Sequence, residues 1–174
     1  QEAVKQYSLV AVGEIGLDFY LPNHDKQAQT ILFTQQLAIA QGAQLPVLLH
    51  VRKAHDQTIS CLKKYPVIGG VVHAFNGSIQ QADQYQKLGF LFGVGGAVTH
   101  LNATRLRALM AQLPLSSLVL ETDSPDMPLA DMAEDRNSPE NIPKILSALA
   151  EIRSETAEQI AAATTQNCQH LLSI

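Results

Sequence analysis

Residues 46–73 read PVLLHVRKAHDQTISCLKKYPVIGGVVH. Two short apolar runs, PVLLH (46–50) and VIGGVVH (67–73), flank a segment with helical character from about Ala54 to Lys64. Strands that are apolar almost throughout, rather than alternating, are strands buried on both faces. Strand, helix and strand in close succession form the crossover unit that joins parallel neighbours.

The same alternation extends in both directions. Upstream lies LVAVGE (9–14), then a helical stretch from about Asp25 to Gln41, with Asn23 as its expected N-cap and Gly42 as its expected C-cap. Downstream come a helix at about 78–88, a strand at 90–94, a helix at about 103–112 and a strand LVLETD at 118–123. Residues 124–138 are polar and carry Pro125 and Pro128, which reads as a long functional loop. Two helices, about 139–152 and 155–171, close the pattern. No repeat, low-complexity tract or linker divides the chain, so residues 1–174 are expected to form a single domain. The expected class is α/β with a parallel sheet, either doubly wound or an eight-fold barrel. No dinucleotide fingerprint or phosphate loop follows any strand. Gly93-Val94-Gly95-Gly96 lacks the spacing of either and reads as backbone accommodation at a strand end.

Hydrophobic residues make up 46% of the 174 and charged residues 16%, too apolar a balance for disorder. The formal net charge of −4 argues against a broad nucleic-acid surface, but not against a narrow cleft in which bound cations supply the positive charge. Cys61 and Cys168 sit in no paired motif, so a disulfide is not expected and a reducing cytoplasm is the default location. No apolar run is long enough to span a membrane, and a secretory leader is not expected from the opening residues. The chain starts at Gln1, its first methionine is Met110, and it reads as the remainder of something longer.

Four residues carry the chemistry. Glu14, His50, His73 and Asp123 each fall at the end of an apolar run or just beyond it. In a parallel barrel those ends open on one face, where active sites lie. Imidazole and carboxylate together suit zinc, manganese or a similar divalent ion. Four protein ligands on one ion leave little room for water, whereas a carboxylate such as Glu14 can bridge two ions. Taken singly, each residue has a plainer reading: a packed or hydrogen-bonded histidine, a helix-capping carboxylate, a surface charge. Four of them on separate strands favour a shared site.

The segments GEIGLDFY (13–20), PVLLHVR (46–52), VVHAFNGS (71–78) and LETDSP (120–125), with the helical stretch KQAQTILFTQQLAIA (26–40), resemble the TatD family of metal-dependent deoxyribonucleases and related hydrolases, in particular its YjjV-like branch. The resemblance covers nearly the whole chain. It implies a TIM-like barrel of the metal-dependent hydrolase type, with this chain covering roughly strands 3 to 8, its C-terminal two-thirds. It implies two divalent ions (Mg, Mn or Zn) bridged by Glu14, one completed by His50 and His73 and the other bound by Asp123. Asp123 would also orient or deprotonate the water attacking a DNA phosphodiester. One departure stands out: the family's opening strand carries an H-x-H pair, and none occurs here. Its absence would remove two ligands of the ion at Asp123 and leave open barrel edges through which chains could self-associate, where the full-length protein would be monomeric.

Among the remaining candidates, Arg52 is expected either to contact substrate phosphate or to pair at a helix start. Glu121 shares a strand face with Asp123 and is expected to orient a ligand, or to be a buried hydrogen-bonded carboxylate. Asp18 reads as structural. His24, His55, His100 and His170 read as solvated or capping, with His24 and His55, at helix starts, holding weak claims to substrate contact. Phe19, Tyr20 and Phe75 could stack on a base, although packing is the plainer role. The leading reading is a two-metal deoxyribonuclease acting on DNA or a small phosphoester. The alternatives are a metal-dependent hydrolase of a small ester, amide or lactone, and an inactive truncated barrel.

Overall fold

The computed structural model describes residues 7–20, 22–23, 25–132 and 136–174. Its strands are β1 (Val12–Asp18), β2 (Val47–Arg52), β3 (Gly70–Val72), β4 (Phe90–Val94) and β5 (Leu118–Leu120). Its α-helices are α1 (Lys26–Ala43), α2 (His55–Lys64), α3 (Ile79–Lys87), α4 (Thr104–Gln112), α5 (Ile142–Ala150) and α6 (Ala157–Leu172). The chain divides into two compact units. The first holds residues 1–73, 80–91 and 169–174; the second holds 74–79 and 92–168.

In the first unit β1 pairs in parallel with β2, and β2 with β3. The Gly70 amide donates to the Gly89 carbonyl, which places the start of β4 beside β3. Leu17, Leu49, Leu62, Phe33, Leu37 and Phe90 are among its fully buried side chains. Phe33, Leu37 and Ala40 form the buried stripe of α1, spaced as a helix face requires. The caps of this helix differ from expectation. Asp25, not Asn23, accepts from the Ala28 amide, because a carboxylate there meets a first-turn donor at 2.9 Å. Gly42 lies inside the helix, and Gln44 ends it in the left-handed region at φ 53°.

In the second unit β4, from Phe92 onward, pairs in parallel with β5. Phe75 stacks against Phe92 with ring centroids 4.4 Å apart, so it belongs to the core and is only 1% exposed. Arg153 donates to the carbonyls of Met110 and Leu113 at 2.6 and 2.9 Å, satisfying acceptors left over at the end of α4. The parallel pairing and the intervening helices are those of the α/β class expected from the sequence. Among the described residues no helix is long and apolar enough to cross a membrane, and Cys61 and Cys168 are free thiols.

Expected strand limits shift at β1, β2, β3 and β5, and the shifts at β1, β2 and β5 bear on the site. β2 runs on to Arg52, so His50 lies inside the strand rather than at its end. β1 begins later than expected and runs through Asp18, so Glu14 is not at a strand end. The register moves from Val12 opposite Val47 to Ile15 opposite Leu49, three residues against two, which puts Glu14 in a bulge early in the strand. β5 stops at Leu120; the Glu121 amide still donates to Val94, and Asp123 lies beyond the strand in the left-handed region at φ 60°.

Candidate metal centre

In the first unit the polar side of β1 is built on period two. Ile15 and Leu17 are buried, while Glu14, Gly16 and Asp18 alternate with them. Gly16 sits opposite His50 with φ +154°. A Cβ at that position would lie 1.8 Å from the His50 carbonyl oxygen, so only glycine lets β1 approach β2 this closely. His50 lies within β2, and its Nε2 is 3.2 Å from Asp18 Oδ2. His73 follows β3; its amide donates to the Leu49 carbonyl, and its Nε2 is 3.8 Å from Glu14 Oε1.

The other oxygen of Asp18 accepts from the Tyr20 amide at 2.8 Å, and Gln29 of α1 brackets the Asp18 backbone, donating to its carbonyl and accepting from its amide, both at 2.9 Å. Burial pushes the Asp18 carboxyl up, but the Tyr20 amide, the His50 ring and the Arg52 charge outweigh that effect and hold it below its ordinary value. Asp18 therefore does more than shape its loop: it is the carboxylate partner of His50. The signal was present in the sequence, since Glu14, Gly16 and Asp18 share one face of a strand.

The second unit holds Glu121 and Asp123. Glu121 Oε1 accepts from the Ala74 amide at 2.6 Å. Its carboxylate occupies the space over Gly93, where a Cβ would come within 2.3–2.5 Å of the carboxylate atoms. The glycine run at 93–96 thus provides backbone accommodation, as expected, and the group accommodated is Glu121. Around Asp123 the loop is tied by short bonds. Thr122 Oγ1 and Ser124 Oγ are 2.7 Å apart, Asn137 Nδ2 donates to the carbonyls of Thr122 and Met127 at 2.7 and 2.9 Å, and the Asp126 amide donates to the Asp123 carbonyl. Asn137 is buried, and its role was not legible in the sequence because it acts from 15 residues away through a loop of no fixed pattern.

One other expectation resolves differently. His55 is buried rather than solvated, with Nδ1 3.3 Å from the Tyr85 hydroxyl and the two rings edge to face. His24 lies outside the described residues. His100 approaches the Pro128 carbonyl at 3.4 Å, and His170 is exposed.

Among the described residues, no three His, Cys, Asp or Glu side chains gather closely enough to form a metal cluster. The first unit brings together two imidazole–carboxylate pairs. The His73–Glu14 spacing of 3.8 Å is too long for a hydrogen bond. It lies within the span of two donors each about 2.0–2.2 Å from a common ion. The donor set of imidazole nitrogen and carboxylate oxygen fits a divalent cation such as zinc or manganese.

The chain is 42% identical over 167 residues to an uncharacterized metal-dependent hydrolase of Escherichia coli, YjjV, covering 95% of this chain and 64% of the relative. It is 35% identical over 177 residues to a protein of Klebsiella pneumoniae named 3′-5′ ssDNA/RNA exonuclease TatD, of which 67% is covered. The crystal structure of the E. coli TatD homologue YjjV superposes with a TM-score of 0.95 at 41% identity, over 99% of this chain and 68% of that one. The chain therefore spans about two-thirds of the length of these relatives. The family model for TatD related DNases matches residues 1–173, and the chain belongs to that family.

Proposed function

We propose that the protein is a divalent-metal-dependent hydrolase that cleaves phosphodiesters of nucleic acid. The observation that supports this most directly is the His73 Nε2–Glu14 Oε1 spacing of 3.8 Å, in a chain whose relatives include a metal-dependent hydrolase and an exonuclease by name. In this reading Glu14, His50, His73 and Asp123 would hold the divalent ions. When bound, such ions would supply Lewis acidity at the reacting centre. Asp123, fixed in its turn by the Thr122, Ser124 and Asn137 bonds, orients the attacking water and takes its proton. Arg52 meets substrate phosphate. Glu121 holds the Ala74 amide and so sets the backbone next to His73, a positioning role.

The test is release of nucleotides from an oligonucleotide with and without Mn²⁺, Mg²⁺ or Zn²⁺. Metal-stimulated release that Asp123→Asn lowers by about 10²–10⁴-fold supports the proposal, in keeping with the scale of a lost general base. No metal-dependent release, alongside turnover of a small ester, amide or lactone, would transfer the site to the second substrate class.

A further inference from the structure

At the end of β1 and β2, on the same rim as Asp18 and His50, two aromatic rings carry three cations. The Arg52 guanidinium carbon stands 3.7 Å over the centroid of the Tyr20 ring, and Lys53 Nζ stands 4.7 Å over the same ring. Lys26 Nζ stands 5.1 Å over Phe19. Consecutive residues of a strand point to opposite faces, so neighbours such as Arg52 and Lys53 would ordinarily diverge. They share one ring because Lys53 leaves the strand in the left-handed region at φ 53°.

The platform beneath them is fixed. The Tyr20 amide donates to Asp18 Oδ1, and the Phe19 amide donates to the Arg52 carbonyl at 2.8 Å. Tyr20 is half exposed, and Arg52 and Lys53 are exposed. A guanidinium stacked on a ring keeps its N–H donors in its own plane, available for phosphate oxygens. With cations over it, the ring is better suited to holding them than to receiving a base. The chain is acidic overall, so this local concentration of cations stands against the general charge rather than forming part of a basic surface.

We propose that Tyr20, Arg52 and Lys53 form a subsite for the phosphodiester backbone of a single-stranded polynucleotide, in which Tyr20 is a positioning residue that orders the two cations. The proposal rests on the nucleic-acid reading above and names the residues that grip the strand beside the reacting phosphate. One ring with two cations matches a flexible single strand, whereas a duplex would need a broader cationic face than an acidic chain offers.

The experiment is fluorescence anisotropy of labelled (dT)10 with the purified protein in EDTA, across a salt series, so that nothing is cleaved. Tyr20→Leu should weaken binding roughly three- to ten-fold through lost ordering of two long side chains, and Tyr20→Phe should restore it to within about two-fold. Arg52→Gln and Lys53→Gln should each lower the slope of log affinity against log salt by about 0.7. These two exposed positions carry the test if Tyr20→Leu fails to fold. Unchanged slopes, Tyr20→Phe as weak as Tyr20→Leu, or equal affinity for a ten-base-pair duplex would overturn the subsite. Cleavage by the unaltered protein with Mn²⁺ is scored separately. Patch-dependent binding without cleavage would refute the hydrolase reading and leave the subsite standing; cleavage with patch-independent binding would do the reverse.

Discussion

Replacing Gly93 by alanine should destabilise the protein entirely through Glu121. The added Cβ would lie 2.3–2.5 Å from three atoms of the Glu121 carboxylate, a separation no methyl group tolerates, so the carboxylate must move. Moving it breaks the 2.6 Å bond from the Ala74 amide. A hydrogen bond to a charged acceptor contributes about 1.5–3 kcal/mol, and local repacking adds up to about 1 kcal/mol, so Gly93→Ala should cost about 1.5–4 kcal/mol. Glu121→Ala alone should cost about 1.5–3 kcal/mol for the same bond. In the double variant the space above residue 93 is already empty, so the alanine should add less than about 0.5 kcal/mol to the cost of Glu121→Ala. Urea denaturation of the four proteins closes the cycle. The predicted coupling is about 1–4 kcal/mol. Additive costs would refute the reasoning, because they would mean that Gly93 is required for something other than the carboxylate.

Gly16→Ala meets the His50 carbonyl oxygen at 1.8 Å with φ at +154°, so it should cost at least about 3–5 kcal/mol; thermal melting within about 2 °C of the parent would contradict the strand approach. The Tyr85 phenol, pushed far above its ordinary value of 10 chiefly by burial, stays protonated in the folded state after the unfolded chain ionises. Its contribution is therefore present below pH 10 and is lost as pH rises beyond it, at up to about 1.4 kcal/mol per pH unit. Urea midpoints at pH 9–11 should fall less steeply for Tyr85→Phe; equal slopes would refute the assignment.

Much of the fold was legible because it rests on local pattern. The runs at 46–50 and 90–94 became strands almost residue for residue, since strands covered on both faces leave an uninterrupted apolar signature. β1 was misjudged because a bulge breaks its period: Gly13 and Glu14 read as the end of a run when pairing in fact continues to Asp18. That error also hid Asp18, whose bond to His50 depends on two strands lying side by side. His55 looked like a solvated helix start because its partner Tyr85 lies 30 residues away. Gly93 and Glu121 were each noticed in the sequence, but the fact that one makes room for the other is a three-dimensional relation that no spacing announces.

The central claim is that Glu14, His50 and His73 are metal donors. Its most direct test is the metal content of the protein after Zn²⁺ or Mn²⁺ loading and removal of excess ion, with circular dichroism to confirm folding. The account predicts at least one divalent ion retained per chain, with His73→Ala and Glu14→Gln each losing it while remaining folded. Retention of the same ion content by both folded variants, or no retained metal in the parent, would contradict it.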